Sequence, residues 1–285
     1  MKVLVLGATG MIGNAMFRVL GRDSSYEVAG TVRSESDRAF FDAEAAKRLV
    51  VGVDVENCDA LLRTFVAIRP DVVINCVGAT KHKTSGRDAF TAIPLNAMLP
   101  HRLAKLCEGF GSRLIHVSTD CVFSGKQGNY TEDALPDAED IYGRTKALGE
   151  IDYPNTITLR TSTIGHELHS HVGLLEWFLA QPDRCKGFRR AVFSGLPSVT
   201  FAQVVRDQVI PKQKLRGLFH VAGRPISKYD LLLDIADAYN KSIEVVPDDT
   251  FDIDRSLNAD RFFDATGYRP PDWKTLIKAM RQDRQ

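Results

Sequence analysis

The amino-acid sequence predicts an α/β protein with a doubly wound parallel sheet and a smaller α/β lobe. Three observations support this fold class. Short apolar runs alternate with segments of helical spacing through residues 1–160. A glycine-rich turn directly follows the first apolar run. After residue 160 the alternation becomes irregular, as expected where a second structural unit begins.

Six apolar runs predict the parallel strands, because strands covered on both faces are apolar along nearly their whole length. These strands are expected at residues 2–6, 26–32, 49–53, 71–76, 113–118 and 156–160. Helices are expected between them at residues 11–20, 59–68, 96–107 and 141–150. Right-handed crossovers then place helices on both faces of the sheet.

The second half of the chain predicts a discontinuous lobe. Helices are expected within residues 166–181 and at 201–210, 226–240 and 273–280, with a late strand at 218–221. We therefore assign residues 1–160 and 199–222 to the sheet domain. Residues 161–198 and 223–285 should form the smaller, substrate-binding lobe over the carboxyl edge of the sheet.

The composition is that of a globular protein, with 44% hydrophobic and 26% charged residues among 285. A net charge of +1 gives no electrostatic indication that the protein binds nucleic acid or an anionic membrane. No apolar run approaches the roughly 20 residues that span a bilayer. Five dispersed cysteines favour neither zinc nor a disulfide framework. With a strand beginning at Lys2, we expect a cytoplasmic protein without a signal peptide or a metal site.

The segment GATGMIG at residues 7–13 predicts a dinucleotide-binding loop. Gly7 suits a tight turn, Gly10 lets the backbone approach a pyrophosphate, and Gly13 lets helix and strand pack closely. The helix N-terminus adds N–H groups and a favourable dipole. The candidate cofactor contacts in this loop are Gly7, Thr9, Gly10, Met11, Ile12 and Gly13.

The residue after the second strand indicates which dinucleotide is bound. An acid there favours NAD, whereas this chain has Thr31, Val32, Arg33 and Ser34. A guanidinium fits a 2′-phosphate, so Arg33 predicts NADP(H) in preference to NAD(H), unless it is simply solvated. Further cofactor contacts are expected after the third and fourth strands, at Asp54, Val55, Cys76, Val77 and Gly78.

A possible acid–base site combines Tyr142, Lys146 and Thr119. Tyr142 and Lys146 share a helix face at i and i+4, and Thr119 ends the fifth strand. An ammonium about 4 Å from the phenol would lower its pKa by up to roughly 3 units, with desolvation opposing this effect. The tyrosine–lysine pair alone would indicate no more than a solvated helix face. Together with the glycine loop, the three side chains predict proton transfer to a carbonyl oxygen.

These motifs resemble the extended short-chain dehydrogenase/reductase superfamily, and within it the dTDP-4-dehydrorhamnose reductase family. The resemblance is carried by the glycine loop, STDCVFSG at 118–125, YGRTK at 142–146, LRT at 159–161 and the segment 256–262. It implies NAD(P)H-dependent reduction of the C4 ketone of a nucleotide-linked 4-keto-6-deoxy sugar. Tyr142 would protonate the oxygen and Lys146 would bind the nicotinamide ribose. Phe123 and Thr161 would line the nicotinamide pocket.

Two departures from related patterns are informative. Nucleotide-sugar 4,6-dehydratases, similar in fold, carry a glutamate where this chain has Cys121. A thiol with a pKa near 8.5 is a poor substitute for that acid at neutral pH, so dehydration is not expected. Some family members bridge a dimer through magnesium and a glutamate; the corresponding position here is Ala15, so we infer no such metal.

The substrate contacts are less specific. A nucleotide diphosphate needs cations, and the candidates are Lys81 after the fourth strand and Arg255 and Arg261 near the end. Trp177 would stack on the base or the sugar. Each has an ordinary alternative, since surface cations are commonly solvated and tryptophan is often a core residue.

Two other functions remain open at this stage. One is a nucleotide-sugar epimerase with tightly bound NAD. The other is a non-catalytic NADP-binding regulatory subunit, as in methionine adenosyltransferase, although such a subunit does not require Tyr142. The sugar and the nucleotide are not specified by the sequence, and a homodimer is possible.

Overall fold

A seven-stranded parallel sheet forms the centre of the protein. In the computed structural model, residues 1–80, 86–169 and 172–283 are described. The strands of the sheet are β1 Lys2–Leu6, β2 Glu27–Val32, β3 Leu49–Val51, β4 Val72–Asn75, β5 Arg113–Thr119, β6 Thr156–Thr161 and β11 Gly217–His220. Their spatial order is β11-β6-β5-β4-β1-β2-β3. The strand order reverses between β1 and β4, which is where doubly wound sheets bind ligands.

Helices cover both faces of this sheet. The α-helices of the described residues are α1 Met11–Gly21, α2 Ala43–Lys47, α3 Cys58–Ile68, α4 Ala89–Ala92, α5 Leu99–Phe110, α6 Ile141–Leu148, α7 Leu174–Ala180, α8 Ser198–Val204, α9 Lys228–Tyr239, α10 Asp260–Thr266 and α11 Trp273–Gln282. Val3 and Val5 of β1 face the core that includes α1 and α8, while Leu4 and Leu6 face the core of α3 and α5. This period of two follows from the strand pleat, and the predicted α/β fold class is confirmed. None of the helices in these ranges is long and apolar enough to span a bilayer.

The smaller lobe consists of short strands and helices. Its strands are β7 Thr163–Ile164, β8 Arg184–Phe188, β9 Ala191–Phe193, β10 Leu196–Pro197, β12 Ile226–Ser227, β13 Glu244–Asp248 and β14 Ile253–Asp254. They form three small sheets, β10-β7, β12-β9-β14 and β13-β8. Because β11 extends the large sheet and α8 packs on α1, we propose the domain division predicted from the sequence.

The predicted helix at 96–107 differs from the observed one in a useful way. A π-helical segment, Ile93–Met98, precedes α5 and contains Asn96. Pro100 has no N–H to donate to the Asn96 carbonyl four residues earlier. Gly149, at the end of α6, packs on that carbonyl, and a Cβ there would overlap it. The absence of a side chain at Gly149 therefore permits the close contact between the two helices.

Substitution of Gly149 by alanine is expected to lower the free energy of unfolding by about 1–3 kcal/mol, because a Cβ would overlap the Asn96 carbonyl oxygen. Gly149 has a φ of −88°, so alanine would not strain its own backbone. Gly109, in α5, is the matched control since a Cβ there meets nothing within 4 Å. Gly109→Ala should be neutral or stabilising by up to about 1 kcal/mol. Urea unfolding of both variants tests the contact, and equal effects would contradict it.

Candidate active site

The glycine loop leaves β1 and opens α1 with the geometry of a phosphate cradle. Gly7 has a φ of +83°, which favours glycine, and its N–H donates to the Thr31 hydroxyl at 3.1 Å. A Cβ on Gly13 would overlap the Gly7 carbonyl, so strand and helix can approach only without one. Within the described residues, no side chain caps α1 at Gly10, and its first turn has no acid. Backbone donors at the helix N-terminus are therefore available to an anion.

The other loop residues predicted to bind cofactor lie beside this cradle. Thr9, Met11 and Ile12 are partly exposed in the same turn. After β4, Cys76 lies 3.3 Å from the Cβ position of Gly13, and Val77 lies 3.0 Å from that of Gly7. The structure thus brings two loops together at the switch point of the sheet. Burial raises the pKa of the Cys76 thiol to about 12, so it is neutral at physiological pH.

Asn96 holds the loop after β4 and is a site residue that the sequence did not reveal. Its amide oxygen accepts the Ala79 N–H at 2.9 Å, and its amide nitrogen donates to the Ala79 carbonyl at 3.1 Å. The same nitrogen lies 3.2 Å from the Thr145 hydroxyl of α6. Asn96 is fully buried, and it fixes Gly78 and Ala79 relative to α6, the helix that carries the catalytic candidates Tyr142 and Lys146. A polar residue within the apolar run IPLNAML was the available signal.

Arg33 is exposed immediately after β2, at the edge where the glycine loop lies. Asp54, after β3, is exposed and its carboxylate accepts the Glu56 N–H at 3.0 Å, while Val55 is buried. Thr161 ends β6, is buried, and directs its hydroxyl to the Ser162 carbonyl at 3.2 Å. Arg33 and Asp54 are therefore accessible to a ligand, whereas the Thr161 side chain is enclosed by protein.

The catalytic candidates Thr119 and Tyr142 lie together because of a glycine contact. Thr119 ends β5, and its hydroxyl caps a 3₁₀ turn by accepting the Cys121 N–H at 3.1 Å. Asp140 caps α6 through the Gly143 N–H at 2.7 Å. A Cβ on Gly143 would overlap the Cys121 carbonyl, so glycine lets the helix pack against the turn. Tyr142 is thereby placed within hydrogen-bonding reach of Thr119.

The pKa of Tyr142 differs from the expectation. Burial raises it above the ordinary value, the nearby Cys121 thiol raises it further, and the hydrogen bond from Thr119 lowers it. Lys146 is not among the groups that mainly set this pKa, and its Nζ donates to the Val117 carbonyl at 2.8 Å. The phenol therefore keeps its proton at neutral pH, as a proton donor requires.

Lys146 is itself strongly perturbed. Burial lowers its pKa to about 8, and the Glu150 carboxylate and the Cys76 thiol partly oppose this shift. Only 5% of the residue is exposed. The ammonium thus predominates at neutral pH and is lost within a moderately alkaline range.

A buried ion pair anchors the end of the catalytic helix. Arg160 of β6 binds Glu150 through two hydrogen bonds, at 2.6 and 2.7 Å. Ser118 of β5 donates to the same carboxylate at 2.8 Å, and the Arg160 guanidinium lies 3.2 Å from His220 of β11. Burial lowers the pKa of His220 to about 3, so its ring is uncharged when it forms these hydrogen bonds. None of this network was predicted from the sequence.

The structure corrects one of the candidate substrate contacts. Phe123 is fully buried and stacks on Tyr130 with ring centroids 4.1 Å apart, below the Arg160 guanidinium. A ring with no exposed surface does not line an open pocket, so Phe123 supports the loop as a core residue. Trp177 on α7 is 39% exposed, which leaves its indole accessible rather than in the core. Lys81 lies outside the described residues.

The two arginines near the C-terminus have different surroundings. Arg255 reaches the catalytic loop, where its Nε donates to the Phe123 carbonyl at 2.7 Å. Arg261 is bound to Asp133 at 2.6 Å, with Glu132 at 3.7 Å. Arg255 therefore belongs to the neighbourhood of Tyr142, while the charge of Arg261 is already balanced by acids.

The fold is that of a dinucleotide-dependent oxidoreductase of the short-chain type. The sequence model of the RmlD substrate binding domain family matches residues 1–283. The chain belongs to this family, and the predicted family and enzyme class, an NAD(P)-dependent reductase, are confirmed.

Similar proteins include dTDP-4-dehydrorhamnose reductases and a subunit of a methionine adenosyltransferase. The chain is 26% identical to a dTDP-4-dehydrorhamnose reductase of Aggregatibacter actinomycetemcomitans over 98% of both chains. It is 27% identical to methionine adenosyltransferase 2 subunit beta of Danio rerio, over 84% of this chain and 74% of that protein. A dTDP-4-dehydrorhamnose reductase of Bacillus anthracis, solved in complex with NADP, shares the fold with a TM-score of 0.80 at 19% identity. That alignment covers 100% of this chain and 99% of the solved one.

Replacement of Lys146 by methionine should make stability depend on pH in a defined direction. The pKa of this lysine is lowered to about 8 by burial, so the folded wild type carries a destabilising contribution below pH 8 that disappears as the pH rises to 10.5. The stability of Lys146→Met relative to wild type should fall by about 3 kcal/mol between pH 7 and pH 10.5.

Urea unfolding across this pH range measures the difference. Lys105→Met is the control, because the hydrogen bond and ion pair with Glu108 raise the pKa of that exposed lysine and give the opposite sign. A pH-independent difference for Lys146→Met would contradict the predicted perturbation.

Proposed function

We propose that this protein reduces the C4 ketone of a nucleotide-linked 4-keto-6-deoxy sugar, with Tyr142 as proton donor and NADPH as the preferred donor of hydride. The observation that carries the proposal is the grouping of Thr119 with Tyr142, and of Lys146 with Cys76, whose side chain lies 3.3 Å from the Cβ position of Gly13 in the glycine loop. Family membership over residues 1–283 supports the same reading.

The cradle fits a dinucleotide, since Gly7, Gly10 and Gly13 present backbone rather than side chains to it. Bound there, the dinucleotide supplies the hydride for the ketone carbon. The second loop, with Cys76 and Gly78, is held beside the cradle by Asn96. These contacts fix the second loop, which borders the cofactor site, relative to α6.

The proton comes from the protein. Tyr142 donates its hydroxyl proton to the developing alkoxide, and Thr119 orients the same oxygen with its hydroxyl. Lys146, protonated at neutral pH, provides positive charge near the site and would also bind the nicotinamide ribose. Its contact with Val117 keeps the ammonium close to β5, from which Thr119 arises.

Recognition of the substrate is assigned to the smaller lobe. Trp177 offers an exposed indole for the nucleotide diphosphate sugar. We also propose a cytoplasmic location for the enzyme. A homodimer remains a prediction.

Replacement of Tyr142 by phenylalanine should lower kcat by about 100- to 10,000-fold, the usual contribution of a general acid. NADPH affinity should change little, since the phenol hydroxyl is not part of the glycine cradle. Loss of NADPH absorbance with dTDP-, UDP- and GDP-linked 4-keto-6-deoxy sugars measures turnover.

The control is Tyr153→Phe, because the Tyr153 hydroxyl binds His101 at 3.0 Å and is not part of the proposed site. Full activity in Tyr142→Phe would refute its role as the acid. No turnover of any sugar in the panel by the wild type would refute the proposed reaction.

Replacement of Arg33 by alanine should reduce the ratio of kcat/KM for NADPH to that for NADH by about tenfold or more, because a hydrogen-bonded charge contact to the 2′-phosphate is lost. Arg102→Ala, which removes an exposed cation from α5, should leave the ratio unchanged. An unaltered ratio in Arg33→Ala would show that this residue does not read the 2′-phosphate.

A second candidate function is a regulatory subunit that binds dinucleotide without turnover. Its specific support is the similarity to methionine adenosyltransferase 2 subunit beta over 84% of this chain. NADPH binding without reduction of any keto sugar, together with a methionine adenosyltransferase that co-purifies, would favour it. The presence of Thr119, Tyr142 and Lys146 together favours the reductase.

A further inference from the structure

Arg255 brings a charge from the smaller lobe to the catalytic loop and is held there by backbone contacts. The preceding residue, Asp254, donates its N–H to the Gly125 carbonyl at 2.8 Å. The following residue, Ser256, accepts the Tyr130 N–H on its carbonyl at 2.9 Å. The segment is therefore fixed to the turn on both sides of Arg255.

The guanidinium contacts the loop next to the proton donor. Its Nε binds the Phe123 carbonyl at 2.7 Å, and its Nη1 lies 3.8 Å from the Cys121 sulfur. The Cys121 N–H binds the Thr119 hydroxyl at 3.1 Å. The Cys121 thiol is also close enough to Tyr142 to raise the pKa of the phenol. A series of interactions thus runs from the Arg255 guanidinium of the smaller lobe, through the Cys121 thiol, to the Tyr142 phenol.

Several groups around the phenol oppose the loss of its proton. The Cys121 thiol, Asp120 and Asp140 all raise the pKa of Tyr142, so they oppose the negative charge that forms when the proton leaves. The buried ammonium of the catalytic helix is one positive charge available to the site. Arg255 is a second one, and it comes from the other lobe.

We propose that Arg255 is a positioning residue for the reduction: through its contacts with the Phe123 carbonyl and the Cys121 sulfur it holds the loop that carries Thr119. In the step itself, hydride adds to the ketone carbon, the Tyr142 O–H bond breaks, and that proton forms the hydroxyl of the product. The inference rests on the proposed function. The smaller lobe then contributes Arg255 to the proton-transfer site and also recognises the substrate.

The first experiment does not require turnover. Cysteine labelled with ¹³C at Cβ reports titration of each thiol by NMR, and Cys121→Ser identifies the resonance of Cys121. In Arg255→Gln the Cys121 titration should move up by about one pH unit, because the guanidinium favours the thiolate.

Two internal comparisons accompany this measurement. The exposed Cys58 should titrate alike in both proteins. Arg190→Gln removes a cation of the same lobe that pairs with Asp252, and it should leave Cys121 unchanged. Identical behaviour of Cys121 in wild type and Arg255→Gln overturns the proposal, whether or not the protein is a reductase.

The second experiment separates positioning from substrate binding. Arg255→Gln should lower kcat about tenfold while KM for the keto sugar changes by less than about threefold. Arg255→Lys, which keeps the charge, should recover part of kcat and retain the wild-type Cys121 titration, and it replaces the glutamine variant if that variant does not fold. A rise in KM with unchanged kcat would identify Arg255 as a substrate anchor and overturn the proposal.

Discussion

The buried ion pair between Glu150 and Arg160 connects the parts of the chain from which the site is built. It ties the end of α6 to β6 directly, to β5 through Ser118 and to β11 through His220. Removal of one partner from such a pair leaves an uncompensated buried charge, so the loss of either Glu150 or Arg160 would be strongly destabilising. The carboxylate also partly opposes the loss of charge on Lys146, one helical turn earlier. The same carboxylate therefore acts on the packing of these elements and on the charge of Lys146.

Close contacts between backbones set the remaining geometry. Gly13 packs on the Gly7 carbonyl, Gly143 on the Cys121 carbonyl, and Gly149 on the Asn96 carbonyl. Each contact brings a helix to a loop or to another helix at a distance that a Cβ would prevent. The Gly13 contact shapes the proposed phosphate cradle, and the Gly143 and Gly149 contacts position α6. Backbone packing therefore determines where the Tyr142 phenol lies.

The sequence predicted the features that depend on neighbouring residues. The strands were recognisable because burial on both faces makes them apolar throughout, and β1 was predicted with its observed bounds. Tyr142 and Lys146 were recognisable through helical spacing. The pairing of Asn96 with Ala79 was not, because it joins a helix to a loop 17 residues earlier, and no local pattern records such a contact.

Fold class and family were thus determined by the sequence alone, because both depend on short-range spacing. The glycine cradle and the catalytic candidates are predictions from the same kind of spacing. The tertiary structure decided the electrostatics. Burial raised the pKa of Tyr142, the Val117 carbonyl took the hydrogen bond of Lys146, and Phe123 became a core ring. It also placed Arg255 beside Cys121, 134 residues away along the chain. Desolvation and Coulomb interactions depend on distance in space, which residue order does not give until the chain has folded.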